Sequence, residues 1–251
     1  MRTPTTRIPG QTAQPLRFDG TGATHRGYVR DLNEDAILLD PSGAIWAVVD
    51  GMGGMRRGDL AAEITTEALA KTILSGDPAE DLWAALEVAN TSVLEIARAE
   101  GSEGMGATVV AFAQYRGHAA VVWAGDSRGY VLRAGYLQQL TKDHSVVQSL
   151  LDRGLITPVE AETHPEAHVV TQAIGVVSPL VAEMVRVEPA PSDRYLLCSD
   201  GLSGVVCAAE IAAHLEKAGD PGAAVDALIA AALAAGAPDN VSVVVIDVRA
   251  G

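Results

Sequence analysis

The sequence predicts an α+β fold on three observations: strand-like runs are grouped together, helical runs come in neighbouring pairs, and short glycine turns join adjacent strand runs. The strand runs are AILLD, AIWAVVD, ATVVAFAQ, HAAVVWAG, GYVLRAGYLQQL, MVRVEP, RYLLCS and VSVVVIDVR, dense in β-branched or aliphatic residues and mostly bounded by Gly, Pro or Asp. In QYRGHA and LRAGYL a glycine separates two such runs, which suits antiparallel hairpins better than long helical crossovers. Helical periodicity covers residues 58–74 and about 80–99, then about 208–217 and about 222–235, with a shorter stretch in SVVQSLLDRG. Asp77 and Pro78 punctuate the first pair. GDPGAA, at 219–224, divides the second with a glycine stop and a proline near the next helix start. The pattern implies sheet layers covered by paired helices.

At 251 residues and 48% hydrophobic, the chain can build one large core, and a single domain is expected over residues 17–251. Residues 1–16, rich in Thr and Pro and lacking the apolar run of a signal peptide, read as a mobile tail. A net charge of −14 without a basic patch argues against nucleic acid as a partner. The most membrane-like stretch, ALIAAALAAGA at 227–237, falls short of the ~20 apolar residues a spanning helix needs, so no membrane partner is expected. Cys198 and Cys207 suggest neither a disulfide framework nor a zinc motif, which points to a reducing, cytoplasmic setting. Nothing demands more than a monomer.

Charge placement carries the functional signal. AVVDGMGG ends an apolar run on Asp50 and Gly51, YLLCSDG ends another on Asp200, and VVWAGDSRG ends a third at Asp126. Asp239, in GAPDNVSVVV, stands just before a strand run instead of after one. Any one of these is ordinary turn chemistry. Four at strand ends could converge on one rim, where their repulsion is most simply relieved by a hard divalent cation. Oxygen donors, with glycines that let a carbonyl approach, suit Mg²⁺ or Mn²⁺ better than zinc. Two such ions ~3.5–4 Å apart can activate a water for in-line displacement. In RDLNED, Arg30 could clamp a phosphate, while Glu34 and Asp35 could add outer ligands through water.

These motifs resemble, in order, those of bacterial PPM-type (type 2C) metal-dependent protein serine/threonine phosphatases. GYVRDLNED, VVDGMGG, GMGATVV, GDSRGYVLR, LTKDHSVVQSLLDRGLIT, LLCSDGLS and PDNVSVVVI span roughly residues 22 to 249. The resemblance implies a four-layer αββα sandwich of two antiparallel sheets flanked by paired helices, with a flap-like segment at about 143–180. It implies Asp50 as a ligand bridging two Mn²⁺ or Mg²⁺ ions, the carbonyl of Gly51 as a ligand of the second ion, and Asp200 and Asp239 as further ligands of the first. Asp126, with Asp200, matches the holder of a third, looser ion. Arg30 matches the phosphate-binding arginine, and Glu34 and Asp35 the water-holding acids. The implied reaction is hydrolysis of phosphoserine and phosphothreonine in proteins, and the implied partners are a Ser/Thr kinase and its substrates.

Some positions depart from the family pattern. Met52 replaces a histidine that many animal members carry as a proposed general acid, which leaves a metal-held water to protonate the leaving alkoxide. Met55 stands where bacterial relatives often have His, and His25 where they often have Asp. Glu166, Ala167 and Gln172 make the flap less basic than is usual, which bears on substrate preference. His164 and His168 have the spacing of a zinc helix, but a proline follows His164 and a third ligand is missing. Neither cysteine has the downstream arginine of a cysteine-dependent phosphatase, and Cys198 reads as packed. His144 reads as ordering a turn. Two other functions compete with hydrolysis: a regulatory module of the same fold, for example in an anti-sigma-type pathway, and an acidic Ca²⁺-binding protein. The first would be expected to have lost the acids that are present here.

Overall fold

Two-residue turns set the strand pairing in the computed structural model, which describes residues 15–53, 57–102 and 104–251. β4 (Gly106–Tyr115) turns into β5 (His118–Ala124) through Arg116 and Gly117, at φ 51° and 83°. β6 (Arg128–Arg133) turns into β7 (Tyr136–Gln139) through Ala134 and Gly135, at φ 51° and 77°. Paired positive φ angles give the mirror-image turn whose twist matches its flanking strands. Both are the glycine turns read from QYRGHA and LRAGYL.

Among the described residues the strands form two antiparallel five-stranded sheets. One has the order β2 (Asp35–Leu39), β3 (Ile45–Met52), β4, β5, β8 (Glu183–Val187). The other runs β1 (Leu16–His25), β10 (Val241–Ala250), β9 (Arg194–Cys198), β6, β7. Helices α1 (Gly58–Ala70) and α2 (Pro78–Glu100) pack on the first sheet. Three short helices follow: α3 (Val146–Asp152), α4 (Pro158–Glu162) and α5 (Asp200–Ser203). α6 (Ala208–Lys217) and α7 (Pro221–Ala234) cover the second sheet. The expected αββα sandwich is thus the observed architecture. Asp77 and Asp220 accept hydrogen bonds from Ala79 N and Ala223 N, so the punctuation legible in sequence is helix capping.

The four layers explain why the strand runs are apolar without alternation. Along β3, Ile45, Ala47 and Val49 face the helices while Trp46 and Val48 face the opposing sheet. Along β10, Val243 and Val245 meet the helices while Val244 and Ile246 enter the core between sheets. Both faces of these central strands are dry, so the stretches 45–49 and 243–246 are hydrophobic throughout.

β1 escapes the sequence reading, and its glycines say why. Gly20 and Gly22 break the apolar pattern, yet a Cβ on Gly20 would lie 2.6 Å from Trp46 Cε2, and one on Gly22 would lie 2.7 Å from Val243 O. The bare backbone admits the indole and the neighbouring strand. The expected tail loses its last residue, because Leu16 is paired with Ala250. Residues 1–14 of that tail, and Met55, lie outside the described residues. α1 stops at Ala70, short of the expected 74, where Thr72 N–H turns back to Leu69 O. No helix among the described residues is long and apolar enough to cross a membrane.

Gly20→Val should force the Trp46 ring from its slot and destabilise the fold by about 1–3 kcal/mol. The measurement is the urea midpoint of purified wild type and variant, and an unchanged midpoint would contradict this packing.

Candidate metal centre

Antiparallel pairing brings the ends of both sheets to one rim. Asp35 opens β2 and is the direct cross-strand partner of Asp50 near the end of β3. Like charges in that position repel, so the pair is unfavourable unless something positive or a proton intervenes. From the second sheet, Asp200 follows the end of β9, Asp239 precedes β10, and Asp126 lies in the turn where β5 crosses to β6. The structure therefore brings together the four acids expected from strand ends and adds Asp35 beside them.

Their electrostatics mark them as one group. Burial raises the Asp50 carboxyl well above its ordinary range, and Asp35, Asp200, Asp126 and Asp239 push it further. Asp35 is held up to about 7 by burial, against hydrogen bonds from Ser242 and Ser199 that lower it. Asp126 is likewise pushed up to about 7 by burial and by Asp200. Burial and then Asp239 raise Asp200, which His168 and Arg30 partly offset.

Hydrogen bonds fix what surrounds these acids. Asp35 Oδ2 accepts from Ser242 Oγ at 2.6 Å and Ser199 Oγ at 3.1 Å, while its Oδ1 is buried with no partner. An orphaned buried carboxylate oxygen calls for a water or an ion. Gly51 is buried, and a Cβ there would lie 2.6 Å from Glu34 O, so the backbone is bare for want of space. The donor set is all oxygen and strongly anionic, which fits a hard divalent cation. The acids form a basin and not a closed shell: among the described residues no three His, Cys, Asp or Glu side chains surround a common point. One cause is visible at Asp239, whose Oδ2 is taken by Arg30 at 2.6 Å. Arg30 is the expected phosphate clamp, and here its exposed guanidinium bonds an expected metal ligand instead.

Glu34 is placed differently from Asp35. Its carboxylate is raised by burial and drawn down by the backbone N–H groups of Gly58 and Asp59, at the start of α1. It satisfies open donors of that helix while its backbone stays beside Gly51. His144 orders a turn, as expected: its N–H bonds Gly125 O at 2.9 Å and its Nδ1 accepts from Gly125 N at 3.2 Å. His164 Nδ1 accepts from Glu166 N, in a turn and not on a zinc helix. Cys198 is fully buried, and the thiol is pushed up to about 12 by burial.

Several supporting residues were not singled out from sequence. Asn240 accepts from Glu34 N and donates to Arg26 O and Leu32 O, so it ties the Arg30 loop to the start of β10. Thr108 and Ser127 hydroxyls meet at 2.8 Å, which anchors the Asp126 turn to β4. Ser199 and Ser242 hold Asp35. Each lies within three residues of a rim aspartate in the chain, or across the sheet from one. Small polar residues beside acids at the ends of apolar runs are the signal that could have found them. A separate cleft of about 680 Å³ sits at the opposite end of β9 and β10, but its Arg194 is spent on Asp247 and on the carbonyls of Leu215 and Ala218.

Comparison with known proteins agrees with this fold. The family model described as "Protein phosphatase 2C" matches residues 20–234. The serine/threonine protein phosphatase PstP of Mycobacterium tuberculosis is 41% identical over 232 residues, covering 89% of this chain and 43% of PstP. The chain thus spans less than half the length of that relative. The serine/threonine phosphatase stp of Listeria innocua is 33% identical over 235 residues, covering 89% of this chain and 93% of stp. The catalytic domain of PstP, solved in complex with two manganese ions, superposes with a TM-score of 0.86 at 37% identity, over 94% of this chain and all of that one.

Carboxyls held up to about 7, against an ordinary 3.8, mean that the metal-free folded protein binds more protons than the unfolded chain between those values. Its stability should therefore fall as pH rises from about 4 to about 7. His144, lowered by burial, gives the opposite slope, but it is one group against Asp35, Asp50, Asp126 and Asp200. In chelator, Tm should be lower at about pH 8 than at about pH 5, Asp126→Asn should flatten the difference, and Mn²⁺ should restore Tm most at the higher pH. A higher Tm at about pH 8 in chelator would contradict the shared basin.

Proposed function

The chain belongs to the protein phosphatase 2C family, and we propose that it hydrolyses phosphoserine and phosphothreonine in proteins with two divalent ions, Mn²⁺ or Mg²⁺. The observation that carries this reading is the convergence at one rim of mutually repelling aspartates, one of them hydrogen-bonded to Arg30. Asp50, Asp200, Asp239 and the Gly51 carbonyl would hold the two ions, and Asp126 with Asp200 would hold a third, looser one. Bound ions supply a water deprotonated near neutral pH and neutralise charge on the phosphoryl oxygens.

The chain's own groups do the rest. Arg30 binds the phosphoryl oxygens with a planar, permanently charged fork, and to do so it leaves Asp239. Release of Asp239 and capture of phosphate would then be one motion of the Arg30 side chain, leaving the Asp239 carboxylate free to serve as a ligand. Asp35, fixed by two serine hydroxyls, keeps Oδ1 free to accept a hydrogen bond from the attacking water. Glu34 fixes α1 against the rim and so holds Gly51 in place. Met52 offers no proton, so the leaving alkoxide takes one from solvent held in the centre.

The substrates are phosphorylated proteins, targets of a Ser/Thr kinase, and each turnover removes about 1.5–2 negative charges from its target. We place this activity in the cytoplasm, on a monomer.

Asp50→Asn and Asp239→Asn should each lower Mn²⁺-dependent phosphopeptide hydrolysis at least about a hundredfold, with the circular dichroism spectrum unchanged. Full activity in either variant would reject the assignment.

A further inference from the structure

We propose that the loop bearing Arg30 is a docking edge for apolar side chains that flank the phosphorylated residue of the substrate. The proposal rests on the phosphatase reading and names the substrate class that the site selects.

The loop between β1 and β2 has no regular structure, yet it is held firmly from within. Tyr28 N–H donates to Ala237 O at 3.0 Å, and the Arg26 guanidinium donates to Arg30 O at 2.9 Å and Asp31 O at 3.2 Å. Asn240 donates to Arg26 O and Leu32 O. Gly27, at φ 76°, sits where a Cβ would meet Ala237 O at 2.7 Å. These bonds use up the loop's inner backbone and turn its side chains outward.

Three of the side chains turned outward are large and apolar, alongside the charged Arg26, Arg30 and Asp31. Tyr28, Val29 and Leu32 are 65, 68 and 68% exposed, within two residues of Arg30 on either side. A well-held loop that presents large apolar side chains is a preorganised contact, because little freedom remains to be lost when a partner covers it. Arg30 identifies the partner. A phosphoryl group drawn to its guanidinium carries the neighbouring residues of the phosphorylated segment past Val29 and Leu32. A second copy carries the same −14 net charge, which opposes that occupant.

The test uses the full chain with Mn²⁺, as wild type, as the double variant Val29→Ser/Leu32→Ser, and as Leu32→Met. The substrates are 4-nitrophenyl phosphate and two phosphothreonine peptides of equal length and charge, one with Leu or Phe within two residues of the phosphothreonine and one with Ser there. Wild type should favour the apolar peptide by about tenfold in kcat/KM, mainly through KM. The double variant should lose that preference and keep its rate on 4-nitrophenyl phosphate, and Leu32→Met should keep both. The proposal is overturned by equal rates on the two peptides in wild type, by a preference that survives the double variant, or by an equal loss on 4-nitrophenyl phosphate. A molar mass by light scattering that falls from dimer to monomer in the double variant would assign the surface to a second copy and overturn it too. Wild type inert towards 4-nitrophenyl phosphate would instead reject the phosphatase reading itself, whatever the peptides show.

Discussion

Repulsion among carboxylates gathered at one sheet rim is the constraint on which the rest of this structure depends. Asp35 and Asp50 face one another across paired strands, and Asp126, Asp200 and Asp239 add their charge from three other strand ends. Such a cluster is stable only if protons, cations or an arginine compensate it. In the metal-free protein protons and Arg30 do so. A pair of divalent ions would do it better, and would free Arg30 for an anion from outside. On the proposed function, the same residues would alternate between neutralising one another and handling a phosphoryl group.

The four-layer fold keeps that arrangement from relaxing. Central strands buried on both faces cannot slide by one residue without exchanging the inter-sheet core for the helix-facing one, so the strand ends stay fixed. Crossing hydrogen bonds then lock the loops: Asn240 ties the Arg30 loop to β10, Thr108 and Ser127 pin the Asp126 turn, and His144 clasps Gly125. The rigid scaffold is what makes crowded acids tolerable, because movement apart is the other way to relieve them.

Much of this could be read from the chain, and what could not has a physical reason. Aspartates beside the ends of apolar runs marked four of the rim acids, since buried strands are apolar throughout and charges gathered at so many of their tips are unusual. β1 was hidden because its glycines answer to Trp46 and β10, which are remote in sequence. α4 and α5 were missed because helices of about one turn carry no full hydrophobic period. The hydrogen bond from Arg30 to Asp239 joins residues far apart in the chain, and no spacing rule reports it. The contact of the Glu34 carboxylate with the start of α1 is likewise hidden from the sequence, because it exists only once the helix has docked.

The most direct measurement is a crystal grown with Mn²⁺ and examined by anomalous scattering. The account predicts two strong anomalous peaks among Asp50, Asp200 and Asp239, with the Arg30 guanidinium moved off Asp239. No anomalous density at that rim, with the Arg30 bond to Asp239 intact, would contradict it.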